Sequence, residues 1–475
     1  MVSLRGRRGP TLAAPALLIT GTLLVSGTLA GCSDAASTDA RPAGSSISTT
    51  STTTSENIYE QQRAEGVTQL LDTLTDSLTS GDARSVGRLV DASAMPQFRD
   101  RFVTAADNLR AARPDTAGDD TSGPLRFARF RYQLAPTEEA ETLVPMQVQE
   151  RLSAAGSSDA WVAPVELRYA LGGQRAPGVD EPEVVVATQF VVARYGEEWK
   201  LVGDTALLDA APTPIQMWEL PGLTASDAAT AGGTSVVASY PDTGDTARSL
   251  RTQLPAAVDA VTGFWGPEWE RRAVLVTTAE DSQFESLVTQ ARGITGTAAA
   301  ASIFSRVDFA QRVATGQRVV FTPAATDLAE PMLAVVLRHE LTHVAARART
   351  AFDAPLWITE GVAEYVGRKG TYRRLADAAP DLADAVRADA TPAGLPDDAA
   401  FAMDGEASRI AYQSAWSVAA YVADRYGPER LKKLYLGVAA SGEPERQNAA
   451  IRSALGVDRD RLVADWRRWL DRQVG

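Results

Sequence analysis

Apolar residues recur at helical spacing at Val67, Leu70, Leu71, Leu74 and Leu78, which predicts an opening amphipathic helix. A short helix over 83–90 and a third over 98–109 follow by the same reasoning. The period then changes. Phe127, Phe130, Trp161, Val165, Leu167 and Tyr169 sit in β-rich runs, and the stretch from Phe190 to Val202 has the pattern of a hairpin turning at Gly196. Helices followed by a curved antiparallel sheet make an α+β unit over 57–210. Pro212, Pro214, Pro221 and the pair Gly232-Gly233 punctuate residues 211–233, which read as a linker.

A second α+β pattern fills 234–475. Ser235–Tyr240 and Ala273–Thr277 are short apolar strands, the first leading into a helix over 246–264, and another helix spans 281–291. Strands over 303–307 and 318–321 are expected to be neighbours joined by a glycine-containing loop. The second leads into a helix that starts near Pro331, a residue suited to a first helical turn, and packs through Leu333, Val336, Leu337, Leu341 and Val344. Beyond residue 360 the pattern is helical to the end. A helix over 411–426 is stopped by Gly427-Pro428, and Trp466 and Trp469 lie on a final amphipathic helix.

The N-terminus does not fit a globular pattern. Arg5, Arg7 and Arg8 precede an apolar run from Leu12 to Ala30 that ends in Leu29-Ala30-Gly31-Cys32, the layout of a secretory signal over 1–31. That ending resembles the lipobox of bacterial lipoproteins, which implies lipidation of Cys32, anchoring in the cell membrane and an extracytoplasmic protein. Cys32 is the single cysteine, so no internal disulfide is available and the fold rests on its cores. Residues 32–56 are mostly Ser, Thr and Ala; they bury too little apolar surface to offset the entropy of ordering and read as a tether. The net charge of −13 becomes −16 once the three arginines of the signal are removed. That balance argues against a nucleic-acid partner and against electrostatic adhesion to anionic lipid.

The chemistry concentrates in Arg338-His339-Glu340-Leu341-Thr342-His343 and, downstream, Trp357-Ile358-Thr359-Glu360-Gly361-Val362-Ala363-Glu364-Tyr365. Residues four apart on a helix share a face, so His339 and His343 can grip one ion together. Both histidines of the chain are in this motif. Glu340, beside the first of them, is placed to take a proton from water at the ion's open position. Zinc needs a third protein donor, and Glu360 is the natural candidate on the next apolar helical run, after the loop with Pro355. Glu364, one turn beyond, is placed to orient a histidine from behind, or else is an exposed helix acid.

The pairing of His339-Glu340-Leu341-Thr342-His343 with Pro355-Leu356-Trp357-Ile358-Thr359-Glu360-Gly361-Val362-Ala363-Glu364-Tyr365-Val366 resembles the gluzincin metallopeptidases, and most the peptidase MA-like domains of bacterial secreted proteins and lipoproteins. The resemblance implies a zincin-like catalytic domain over 234–475, with His339, His343 and Glu360 holding Zn2+ and Glu340 as general base. It implies that a strand edge, from 303–307 or 318–321, pairs with extended substrate. It also points to Tyr412 as hydrogen-bond donor to the oxyanion, with Arg409 and Tyr365 as rivals or Tyr412 as an ordinary core tyrosine. The first unit is similar in layout to NTF2-like domains. The expected function is a membrane-anchored zinc peptidase acting on peptide or protein substrates. The alternative is a non-catalytic cell-envelope binding or assembly lipoprotein that retains a zinc site; a structural site closes with four protein ligands, whereas three are visible here.

Overall fold

The opening helical stripe is α1 (Ile58–Thr79), which buries Val67, Leu70, Leu71, Leu74 and Leu78. In the computed structural model, residues 58–110, 122–136, 142–172, 181–211, 213–288, 292–297, 299–403 and 405–474 are described. The signal, Cys32 and the tether lie outside them. After α1 come α2 (Ala83–Leu89), capped by Asp82 accepting from Ser85 N, and α3 (Pro96–Leu109), which starts on proline. These helices cover an antiparallel sheet of β1 (Phe127–Leu134), β2 (Asp159–Leu171), β3 (Val184–Tyr195) and β4 (Glu198–Gly203), in that order. The β3–β4 turn falls at Gly196, whose φ of +64° is a conformation that glycine adopts without steric cost. Between β1 and β2 lies α4 (Met146–Ala154). Only Leu152 of it is buried, so it carries no apolar stripe from which a helix could be read.

The stretch 211–233, expected as linker, is built into the fold. Met217–Glu219 forms a 3-10 turn that inserts Trp218 between Phe127, Phe130 and Tyr169, with ring centroids 5.1, 5.8 and 4.9 Å away. The next residues form β5 (Thr224–Thr230), paired along its length with β6 (Gly233–Ser239). Its sequence, Thr-Ala-Ser-Asp-Ala-Ala-Thr, has no β-branched apolar run, so the pairing and not the propensity makes it a strand.

The second sheet adds β7 (Val274–Thr277), β8 (Arg292–Thr297), β9 (Ala300–Phe304) and β12 (Arg318–Phe321), with β10 (Arg306–Asp308) and β11 (Val313–Thr315) as a separate hairpin. Its order is β5-β6-β7-β12-β9-β8, parallel at β6-β7-β12 and antiparallel elsewhere. This corrects the expectation for the substrate-pairing strand. β9 and β12 are neighbours, but each is paired on both sides and has no free edge. The glycine-rich β8, which gives no strand signal in the sequence, is an edge strand instead. The outer side of β5 is engaged at Ala225, which exchanges two hydrogen bonds of 2.8 Å with Gly123.

Side chains alternate across a strand, so the central strands serve two cores at once. Val237, Leu275, Val319 and Phe321 pack against α5 (Gly244–Trp265) and the motif helix, whereas Ala238, Val276 and Val320 join the core formed by α1 to α3 and the first sheet. The buried Arg318 on β12 forms an ion pair with Glu181, just ahead of β3, and so ties the second sheet to the approach to the first. The described residues from Ile58 onward belong to one compact unit.

After α6 (Asp281–Val288) and β12 the chain enters α7 (Glu330–Ala346), with Pro331 in its first turn, then α8 (Leu356–Arg368). The rest is helical: α9 (Leu375–Ala378), α10 (Pro380–Arg387), α11 (Asp398–Phe401), α12 (Glu406–Tyr426), α13 (Pro428–Val438), α14 (Pro444–Leu455) and α15 (Arg459–Val474). α8 is wedged between α7 and α12 at two glycines. A Cβ on Gly367 would lie 2.9 Å from Val335 O, and one on Gly361 would lie 2.5 Å from Ala415 O.

Candidate metal centre

The helical repeat of α7 places His339 and His343 one turn apart, and both are buried. The close approach of α8 at Gly367 brings Glu360 over them. The Nε2 atoms of the histidines are 3.1 Å apart; Glu360 Oε2 is 3.2 Å from His339 Nε2, and its Oε1 is 3.4 Å from His343 Nε2. Donor atoms of these three residues all lie within 4.8 Å of one another.

These distances can be tested against an ion. Tetrahedral zinc, with ligands at about 2.0–2.1 Å, spaces its donors about 3.3–3.4 Å apart. The three separations fall around that value. Two ring nitrogens so close share at most one proton, and Glu360 Oε2 is buried without a hydrogen bond. One cation at the common focus would satisfy all three, and an imidazole, imidazole and carboxylate set suits zinc.

The surroundings are strongly charged. Burial opposes protonation of His339, but the Glu360 carboxylate beside its ring and the charges of Glu364 and Glu340 outweigh this and push it up to about 9. Burial pushes His343 down despite Glu360, helped by His339 and Arg347. Burial alone would raise the Glu360 carboxyl; the two imidazoles overcome this and hold it well below the usual carboxylate range. Glu340 is fully buried on α7 and lies outside the donor set. Glu364 Oε1 is 3.6 Å from His339 Nδ1, beyond a direct hydrogen bond, while its other oxygen accepts from Arg368 Nε.

The three tyrosine and arginine candidates are placed differently. Tyr412, half-buried on α12, packs edge-on against Phe401 at 5.0 Å. Burial, then the charges of Glu360, Glu364 and Glu340, raise its phenol far above the ordinary value, so it stays protonated and able to donate. Tyr365 packs on Phe264 at 5.9 Å. Arg409 is engaged by Asp381 through Nε at 3.1 Å and Nη2 at 3.0 Å, on the exposed side of α12.

Two supporting residues went unread in the sequence. Asp398 accepts a hydrogen bond of 2.8 Å from Leu356 N and so caps α8 from 42 residues away, which no local pattern reveals. Arg347, four past His343, is buried with its guanidinium 4.5 Å over the Phe304 ring and Nη2 3.4 Å from Ser302 Oγ. Its signal was available in the helical row His339, His343, Arg347.

No protein-family model and no curated protein matches the chain. Among solved structures it shows a likeness to an M1 zinc metallopeptidase from Deinococcus radiodurans, at 14% identity and a TM-score of 0.28 over 65% of this chain and 61% of that one. A point mutant of that metallopeptidase bound to a Tyr-Ser-Ala substrate gives 13% and 0.29 over 65% and 61%, and a further structure of the mutant gives 12% and 0.29 over 62% and 59%. The chain spans about three fifths of the length of these structures.

Proposed function

We propose that this chain is a zinc-dependent peptidase of gluzincin type, exported and held to the cell membrane by lipid on Cys32. The observation that carries the reading is the convergence of His339, His343 and Glu360 at zinc-like spacing, with the buried Glu340 beside them and outside the donor set. Three protein donors leave a position open, as catalytic sites do.

When bound, zinc supplies a Lewis acid that polarises the peptide carbonyl and eases ionisation of water. Glu340 takes one proton from the attacking water as its oxygen bonds to the carbonyl carbon. It then delivers that proton to the amide nitrogen as the C–N bond breaks, so both products leave neutralised. Tyr412 donates a hydrogen bond to the oxyanion. Glu364 steadies His339 from the Nδ1 side. In this reading residues 57–210 are an NTF2-like domain and 234–475 the peptidase domain, with peptides or proteins as substrates.

The test is hydrolysis of a broad peptide library by the purified soluble part and by Glu340→Gln, with zinc content measured for both. Glu340→Gln should keep about one zinc per chain and lose about 10²–10⁴-fold in rate. A wild type that cleaves nothing while carrying zinc overturns the proposal; equal cleavage by both removes Glu340 from its role.

A further inference from the structure

Two of the most exposed aromatic rings in the described structure stand together at one end of α7. Phe352, 69% exposed, lies in the loop between α7 and α8; Phe309, 44% exposed, lies in the β10–β11 turn. Their rings meet edge-on at 5.5 Å, and Phe352 stacks at 6.1 Å and 13° on the buried Phe304, whose own ring carries Arg347 at 4.5 Å. Both rings are held out by built backbone. Ala351 N donates to Ala439 O at 2.8 Å on one side, and Gln311 N donates to Asp308 Oδ1 at 2.9 Å on the other.

The geometry points to Phe309 and Phe352 as a specificity platform for a large apolar side chain of an extended peptide substrate, an inference that rests on the peptidase reading. Position supports it. Arg347 is one turn beyond His343, so the stack of Arg347, Phe304 and Phe352 leads outward from the metal donors. β8, an edge strand, pairs Arg292 with Phe304. A guest strand antiparallel to β8 would run in the direction of β9 and reach the Arg292 end of β8, one strand outward from Phe304.

Size supports it as well. An aromatic side chain offers about 150–250 Å², so the exposed parts of the two rings present about 200 Å². That matches one or two substrate side chains and falls well short of the roughly 800 Å² per partner of a stable protein interface.

The experiment is cleavage-site profiling of a random peptide library by wild type and by the double variant Phe309→Ala/Phe352→Ala. A matched pair of peptides with Phe or Ala at the favoured position is assayed beside it. Wild type should enrich Phe, Leu, Tyr, Trp or Ile at one fixed position relative to the cleaved bond and prefer the Phe peptide by about 10- to 100-fold in kcat/KM. The double variant should lose the enrichment, and its preference should fall to near one. Phe309→Ala alone, which alters only the exposed turn, should show part of the loss. No enrichment, or enrichment that survives the double variant, overturns the inference.

A binding arm separates this inference from the peptidase reading. Fluorescein-labelled Phe and Ala peptides are titrated against zinc-loaded wild type and the double variant. If nothing is cleaved yet wild type binds the Phe peptide more tightly and the variant does not, the peptidase reading fails and the platform stands. If neither peptide binds and none is cleaved, both fall. Self-association, or partition onto phosphatidylcholine vesicles, that is lost in the double variant while peptide preference is unchanged would assign the rings to a second copy or a lipid surface and overturn the platform.

Discussion

Adding a single methyl at Gly361 should disturb the metal centre without touching a donor. A Cβ there would sit 2.5 Å from Ala415 O and 2.9 Å from Ala415 C, backbone atoms of α12 that no side-chain rotation can move aside. Ordinary contact begins near 3.4 Å, so α8 and α12 must separate by roughly 0.9 Å, and overpacking of this kind costs about 1–3 kcal/mol. Glu360 is the preceding residue on α8. Its carboxylate would shift by a comparable distance, where donor distances tolerate only about 0.2 Å. Gly361→Ala should therefore lower the stability of the metal-free protein by about 1–3 kcal/mol in denaturant titration. It should also weaken zinc binding about 10- to 100-fold in chelator competition, the range seen when groups supporting a ligand are lost. Gly263→Ala is the control: it lies on α5 with nothing within 4 Å of the added Cβ, and should be neutral or stabilising by about 0.5–1 kcal/mol. If Gly361→Ala matched wild type in both zinc affinity and stability, the claim that the α8–α12 contact sets the donor position would be refuted.

Zinc binding should tighten as pH rises from about 6.5 to about 9 and then level off, because His339, raised from its ordinary 6.5 to about 9, must give up a proton to bind the ion. Its contribution to the stability of the metal-free protein runs the other way, full below about 6.5 and lost as pH rises through about 9; titration calorimetry in buffers of different ionisation enthalpy measures the released proton. A chain starting at residue 211 should not fold as a soluble unit, since it would expose the sheet face of Ala238, Val276 and Val320; a cooperative melt with native-like near-UV circular dichroism would contradict this. Cys32→Ala should move the protein out of the membrane fraction or leave it unprocessed, checked by lipid labelling and fractionation, with zinc content of the soluble part unchanged.

Local periodicity carried what one element decides by itself. His339 and His343 share a face because α-helices turn every 3.6 residues, and the β3–β4 hairpin is legible at Gly196 because the flanking strands alternate around a residue free to take positive φ. The burial of α1 was legible for the same reason. What lies between elements was not. The distance of Glu360 from the histidines depends on two glycines that let three helices approach, and the cap on α8 comes from Asp398, 42 residues away. β5 and β8 are strands through their partners, so the linker reading of 211–233 and the choice of the substrate-pairing strand both went astray. The central strands read as plain apolar runs, and their sequence does not say that Val319 and Val320 belong to different cores. Hydrophobic pattern records whether a side chain avoids water and at what local period; which surface it then meets is set by packing among residues far apart in the chain, and that is decided only when the whole fold closes.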